Sequence, residues 1–198
     1  MTRRGWAGAD SVAPCVGVLA LQGDFEAHAR LLGALGADAR EVRVADDLDG
    51  LDALVLPGGE STTMTLGIER EGLADPLRAL ADRGTPILGT CAGMIILDRR
   101  HLGILDIVAE RNAFGRQVRS FEADLQIAGV DGEPVHAVFI RAPWAAETGP
   151  GVEVLAEVDG HPVAVRQGNI VAISFHPELS GEPRLHELVL GLAAPAAG

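Results

Sequence analysis

The chain has little of several features that would place it in other classes of protein. Its 198 residues include two cysteines, Cys15 and Cys91. Two cysteines provide no disulfide framework and no metal-ligand spacing, so we expect a reducing, cytoplasmic compartment and no metal or other cofactor. No apolar run is long enough to cross a bilayer, and residues 1–14 lack the apolar stretch of a signal peptide or anchor. We therefore expect no membrane partner.

Positive charge is also scarce. The chain has 16 Lys and Arg against 28 Asp and Glu, a net charge of −12. Nucleic-acid binding needs a basic stripe to neutralise phosphates, and we exclude it because the sequence has none. The length and the 47% hydrophobic content suffice for one domain with a full core. We expect a loose N-terminal tail at 1–15, one domain at 16–192 and a frayed C-terminal tail at 193–198.

Strand-length apolar segments alternate with helical patterns in the first half of the chain. Strands are predicted at 16–21, 39–44, 51–56 and 86–88, and helices at 25–35, 64–71 and 76–83. The second half shows strand patterns at 118–128, 135–140, 154–158, 163–166 and 170–175, with turns at Asp131-Gly132 and Asp159-Gly160, and a final helix at 184–192. We expect an α/β fold, a single-domain three-layer sandwich whose open, mostly parallel sheet has antiparallel edge strands.

The central stretch is a short apolar strand that leads through Gly89-Thr90-Cys91-Ala92-Gly93 into an apolar helix. A glycine on each side of a nucleophile is typical of a nucleophile elbow, where a neighbouring Cβ would clash. The turn places the Cys91 sulfur at the start of the helix, where free N–H groups favour a thiolate. Cys91 is the candidate nucleophile, and we assign Cys15 a structural role.

A thiol nucleophile needs a base, and His176 is the best placed of six histidines. It directly follows a predicted buried strand, whose C-terminal end faces the ligand side of a parallel sheet. Pro177 favours an extended His176, and positions two apart in an extended segment face the same way, so Glu178 can orient the His176 ring. By contrast, we expect His28 on a solvated helix face, and His186 has no partner visible in the sequence.

Acyl transfer also requires donors to the oxyanion. The Ala92 N–H follows the nucleophile, and the flexible Gly58-Gly59 peptide can supply a second donor. An amino-acid substrate needs an anion clamp, for which Arg111 and Arg141 are candidates; each fits a surface charge equally well.

Six short sequence motifs follow one another along the chain, at residues 57–63, 89–93, 110–115, 120–124, 139–143 and 174–178. Together they resemble the glutaminase subunits of two-component pyridoxal 5′-phosphate synthases, which are triad (class I) glutamine amidotransferases. The resemblance spans Val16 to Leu192 and implies a class I glutamine amidotransferase-like, flavodoxin-like fold.

The resemblance implies hydrolysis of L-glutamine to glutamate and ammonia through a thioester on Cys91, with His176 as acid and base and Glu178 orienting it. It implies that glutamine is held by Gly59, Glu60, Ser61, Arg111, Ile140 and Arg141. It also implies a partner, a barrel-shaped synthase subunit that combines the ammonia with ribose 5-phosphate and glyceraldehyde 3-phosphate, in an assembly of twelve subunits of each kind. Docking of this partner would complete an oxyanion hole formed by Ala92 and Gly59.

Two other functions remain open from the sequence. The chain fits a triad glutaminase that serves a different synthase, such as one for histidine or anthranilate. It also fits a docking subunit whose site has decayed, although all three triad positions are intact.

Overall fold

The computed structural model describes residues 12–111 and 120–193. Its strands are β1 Cys15–Leu19, β2 Asp38–Val42, β3 Ala53–Leu56, β4 Ile87–Thr90, β5 Ile107–Glu110, β6 Ser120–Leu125, β7 Val135–Ile140, β8 Trp144–Thr148, β9 Glu153–Val158, β10 His161–Gln167 and β11 Ile170–Ile173. Its helices are α1 Phe25–Ala34, α2 Ser61–Arg70, α3 Ala74–Asp82, α4 Ala92–Leu97, α5 Pro177–Ser180 and α6 Arg184–Ala193. Within these ranges, none of the helices has the length and apolar character needed to cross a membrane.

A seven-stranded sheet in the order β2-β1-β3-β4-β11-β10-β9 forms the middle layer. The five strands from β2 to β11 run parallel, whereas β10 and β9 are antiparallel to their neighbours. This confirms the predicted mostly parallel sheet with antiparallel strands at one edge. The fully buried strands β3 and β4 lie near its centre, as expected for apolar runs covered on both faces.

Two apolar clusters cover the two faces of this sheet. Alternate residues of β3 divide between them, since Leu54 and Leu56 face one cluster and Ala53 and Val55 face the other. The first cluster includes the buried apolar side chains of α2, α3 and α4. The second includes residues of α1, α6 and the β6–β7 hairpin. The sheet and its two coverings are the three layers that the sequence predicts.

The second half of the chain is less regular than its strand pattern suggests. The tight turn at Asp159-Gly160 is confirmed, since both residues have positive φ between the paired strands β9 and β10. Asp131-Gly132 instead lies in a longer connection between β6 and β7. That hairpin is a separate two-stranded sheet, and β5 and β8, which we did not predict, form another.

A buried carboxylate organises the short connection after α4. Asp98 Oδ1 accepts hydrogen bonds from the Arg100 N–H at 2.8 Å and from His101 Nδ1 at 2.7 Å. Its Oδ2 accepts the Ala109 N–H at 3.1 Å. One side chain thus closes the turn and aligns the start of the segment that carries Arg111. Of the expected tails, 1–11 and 194–198 lie outside the described residues, while Cys15 begins β1 and Ala193 ends α6.

Candidate active site

The candidate site lies at the C-terminal edge of four parallel strands. In the sheet, β4 lies between β3 and β11, and β1 is next to β3. The segments that follow these strands therefore meet although they are far apart in sequence. They bring together Gln22 after β1, the Gly58-Gly59 loop after β3, Cys91 after β4 and His176 after β11.

Cys91 has the strained backbone expected of an elbow nucleophile. Its φ is 48° and its ψ is −104°, and it immediately precedes α4. A Cβ on Gly93 would collide with the Leu56 carbonyl oxygen, and one on Gly89 would lie 2.6 Å from Leu97 Cδ1. Both glycines are therefore needed for α4 to pack against β3 and β4. The Cys91 N–H donates to the Ile173 carbonyl at 2.8 Å, which ties the elbow to β11.

His176 and Glu178 form the expected pair. His176 Nδ1 lies 2.7 Å from Glu178 Oε1, and the Glu178 side chain is fully buried. Burial lowers the pKa of His176, but hydrogen bonds and charge interactions with Cys91 and Glu178 outweigh it and raise this pKa to about 10. Because Nδ1 is held by Glu178, the Nε2–H of the protonated ring remains to donate to Cys91 or to the substrate.

The predicted reason for this contact is wrong. Pro177 is the first residue of α5, and Glu178 lies in the first helical turn, not in an extended segment. His176 is the residue that precedes the helix, with φ −111° and ψ 88°. The pair forms because a helix starts directly behind the histidine, at a position where proline is well tolerated.

The Gly58-Gly59 loop packs against both catalytic side chains. A Cβ on Gly58 would overlap the His176 ring and lie 3.3 Å from Cys91 Cβ. On the other side, Gln22 Oε1 accepts the Glu60 N–H at 2.6 Å. Gln22 therefore holds the peptide that follows Gly59. We did not predict Gln22, although it follows the end of β1 and the rule that selected Gly58-Gly59 also applies to it.

Glu60 has a structural role that the sequence did not indicate. Its carboxylate caps α2 by accepting the N–H groups of Thr62 and Thr63 at 3.0 and 2.8 Å and the Thr63 hydroxyl at 2.8 Å. The backbone hydrogen bonds from Thr62 and Thr63 are the main cause of the lowered pKa of Glu60, about 2. The carboxylate is thus ionised and already engaged at the edge of the site.

The residues expected to hold glutamine do surround one cavity. It has a volume of about 310 Å³, at the lower end of the ~300–1,000 Å³ typical of small-molecule sites. It is lined by Gln22, Gly59, Glu60, Ser61, Cys91, Ala92, Ile95, Arg111, Ile140, Arg141 and His176. Arg111 and Arg141 are both exposed, and Arg111 Nη1 donates to Thr62 Oγ1 at 3.2 Å. Arg141 has a positive φ of 45°. The binding and oxyanion roles of these residues stay predictions.

The expectation for His28 is wrong. His28 is not on a solvated face but is fully buried, and so is His186 to 1% exposure. Their rings contact each other behind Glu178. The charged neighbours of His28 in α1 are on the exposed side of the helix. The hydrophobic pattern of the sequence does not show that a single polar residue such as His28 lies on the apolar face.

The chain is similar in sequence to a known protein family and to curated relatives. Residues 18–192 match the model of the SNO glutamine amidotransferase family. The chain is 55% identical over 195 residues to pyridoxal 5′-phosphate synthase subunit PdxT of Parafrankia sp., covering 94% of this chain and 96% of that protein. It is 54% identical over 187 residues to the protein of the same name from Streptomyces coelicolor, covering 90% of this chain and 93% of that one.

Solved structures show the same fold. One described as a glutamine amidotransferase superposes with a TM-score of 0.84 at 50% identity, covering 90% of this chain and 98% of its own. PurLQS from Thermotoga maritima superposes with a TM-score of 0.76 at 20% identity, covering 92% of this chain and 100% of the matched chain, which supports the fold alone. The chain belongs to the SNO glutamine amidotransferase family, a group of glutamine-hydrolysing α/β enzymes.

Proposed function

We propose that this chain is the glutaminase subunit of a pyridoxal 5′-phosphate synthase and that Cys91, His176 and Glu178 carry out the hydrolysis. The observation that supports this most strongly is the meeting of the Cys91 elbow and the His176–Glu178 pair beside one cavity. The PdxT proteins to which the chain is similar over nearly their whole length support the choice of synthase.

In the first half of the proposed reaction, the Cys91 thiolate attacks the side-chain amide carbon of glutamine. The carbonyl electrons move onto oxygen, which the Ala92 and Gly59 N–H groups stabilise. The tetrahedral species collapses as His176 Nε2–H gives its proton to the amide nitrogen. The C–N bond breaks, ammonia leaves, and a thioester joins Cys91 to the glutamyl group.

In the second half, neutral His176 takes a proton from a water molecule as that water attacks the thioester carbonyl. The C–S bond then breaks, glutamate leaves, and the Cys91 thiolate beside the His176 imidazolium is restored. Glu178 holds Nδ1 throughout and keeps Nε2 of the ring directed at the reacting atoms.

The proposed partner is the barrel-shaped synthase subunit, which receives the ammonia shielded from water, in an assembly of twelve subunits of each kind. The cytoplasmic location expected from the low cysteine content is part of the same proposal. The measured mass of the complex in solution tests the stoichiometry.

The test of the triad compares the only two cysteines of the chain. In complex with the synthase subunit, Cys91→Ala should abolish glutamine-driven pyridoxal 5′-phosphate formation, while ammonia-driven formation continues. Cys15→Ala is the matched control, because Cys15 lies at the start of β1, at the opposite end of the sheet from the site. It should retain both activities.

Glutamine use by Cys91→Ala would overturn the assignment of the nucleophile. If the wild-type complex releases no glutamate from glutamine, the chain is a docking subunit with a decayed site. Glutamate release that drives no pyridoxal 5′-phosphate formation would point to a different synthase.

A further inference from the structure

Two histidines that the proposed mechanism does not use are buried directly behind the triad. His28 comes from α1 and His186 from α6, and both rings are shielded from solvent. Burying an imidazole is unfavourable unless its nitrogens find partners. The partners of these rings therefore indicate what holds them there.

The two rings extend the triad in a line away from Cys91. Glu178 Oε1 faces His176, and Glu178 Oε2 lies 3.4 Å from His28 Nε2. His28 Nδ1 in turn lies 2.9 Å from His186 Nε2. His28 Nε2 is also 3.3 Å from the hydroxyl of Thr90, the residue before the nucleophile. His28 thus contacts the element that carries Cys91 and the residue that orients His176.

The contacts determine where the protons lie. A lone pair on His28 Nε2 would face the buried Glu178 carboxylate and repel it, so this nitrogen carries the proton. His28 Nδ1 is then an acceptor, which requires His186 Nε2 to be the donor. The remaining atom, His186 Nδ1, is a lone pair, and it is the ring nitrogen that has no hydrogen-bond partner within the described part of the chain.

Burial also keeps both rings neutral. It lowers the pKa of His28 to about 4, against the raising effect of Glu178, and it lowers the pKa of His186 to about 4 as well. The charged or titratable groups that interact with the two rings are Glu178 and His176 at His28, and Glu182 at His186. At neutral pH the pair therefore places an uncharged imidazole 3.4 Å from Glu178 Oε2.

We infer that His28 is a positioning residue for the glutaminase reaction. Glu178 Oε2 is buried with no hydrogen-bond partner in the ranges described, and His28 Nε2, 3.4 Å away, is placed to hold it, while His186 fixes His28. With both carboxylate oxygens held, Oε1 presents a single orientation to His176. The inference rests on the proposed function, because it concerns the same reaction, but its test can fail independently.

The test uses two amides of different reach. In His28→Gln the amide NH₂ extends to the place of Nε2 and can still donate to Glu178. In His28→Asn the shorter side chain reaches only the place of Nδ1, so it can meet His186 but not Glu178. The two variants are similarly polar and carry the same charge. A loss of packing or stability therefore affects both.

The measurement is glutamate release by the complex with the synthase subunit. His28→Asn should lower kcat about 10- to 100-fold, the cost of a misplaced catalytic group, with KM changed less than about 2-fold. His28→Gln should retain kcat within about 3-fold, since it restores the donor. In the isolated chain, the low-field proton resonance of His176 Nδ1–H should persist in His28→Gln and be lost or broadened in His28→Asn.

Equal loss of kcat in the two variants, or a loss that follows their melting temperatures, would show that His28 only fills space and would overturn the inference. So would an effect confined to KM. Absence of glutaminase activity in the wild-type complex would instead refute the proposed function, and the proton resonance would then still report whether His28 orients Glu178 and His176.

Discussion

At the scale of single residues, Glu60 shows how one carboxylate can shape a site without reacting. Its oxygens accept the free N–H groups at the start of α2, and its own N–H is held by Gln22. The peptide between Gly59 and Glu60 is thereby tied to both α2 and the end of β1. Any movement of that peptide needed for catalysis has to exchange these hydrogen bonds for others.

Replacing Glu60 with Gln should destabilise the fold in a pH-dependent manner. The pKa of Glu60 is lowered from 4.5 to about 2, so its contribution is complete above pH 4.5 and is lost as the pH falls toward 2. A neutral amide has one acceptor oxygen for the two N–H groups. We expect the melting temperature of Glu60→Gln to be about 2–4 °C below wild type at pH 7, as for a lost cap in a chain of this size.

The difference in melting temperature between wild type and Glu60→Gln should become smaller as the pH falls from 4.5 to 3. Glu69→Gln is the matched control. Glu69 lies near the other end of the same helix, so this substitution removes the same charge without removing a cap. A difference that is constant with pH would contradict the role of the carboxylate.

Residue identities could be predicted where chemistry restricts them. Cys91, His176 and Glu178 could be found because a nucleophile elbow and a histidine at a strand end are local patterns. His28 and His186 could not, because they meet only through packing of α1 and α6 on the same face of the sheet. Gln22 could have been predicted, because it follows the C-terminal end of a parallel strand, but we did not select it.

At the scale of elements, the approach of α4 to the sheet is the strictest requirement in the fold. Only Cys91 separates the end of β4 from the start of α4, so the helix must turn back over β3 within the elbow. Gly93 allows this because its Cα lies against the backbone of Leu56. The strained Cys91 backbone persists because this packing leaves no alternative path for the chain.

Gly93→Ala should therefore disturb the elbow. The added methyl group meets a backbone carbonyl that cannot move aside, and overpacking of this kind costs about 1–3 kcal/mol of unfolding free energy. Glutaminase activity should fall with it, because Cys91 moves. The control is Gly33→Ala in α1, where a Cβ meets no atom within 4 Å and should stabilise the helix by about 0.5–1 kcal/mol. Chemical denaturation of both variants checks this, and equal stability of Gly93→Ala and wild type would contradict it.

The strands of the central sheet were predictable because long apolar runs bounded by glycine leave few alternatives. The separate pairs were not predictable. In the described part of the chain β5 and β8 are short and pair with each other alone, through contacts far apart in sequence. The α5 turn was missed because a proline after a strand favours both an extended chain and the first position of a helix.

At the scale of the whole molecule, the pKa values of three histidines are shifted in opposite directions: those of His28 and His186 are lowered and that of His176 is raised. His28 and His186 have a pKa of about 4 in the folded chain and about 6.5 when unfolded, so they favour the folded state fully above pH 6.5 and lose that contribution as the pH falls. His176 has a raised pKa of about 10, so its contribution is complete below pH 6.5 and is lost as the pH rises. The contribution of His28 and His186 therefore falls below pH 6.5, and that of His176 falls above it.

The melting temperature of the isolated chain should therefore pass through a maximum near pH 6.5. Between pH 6.5 and 5, above the range where ordinary carboxylates titrate, the two buried histidines together should lower the free energy of unfolding by roughly 1 kcal/mol or more per pH unit. The double variant His28→Gln with His186→Gln should flatten that side of the curve, because neither amide titrates. His176→Asn should flatten the alkaline side and leave the acid side unchanged. A slope below pH 6.5 that is unchanged in the double variant would mean that the pKa values of the two rings are not lowered in the folded chain, which would contradict their burial as neutral groups.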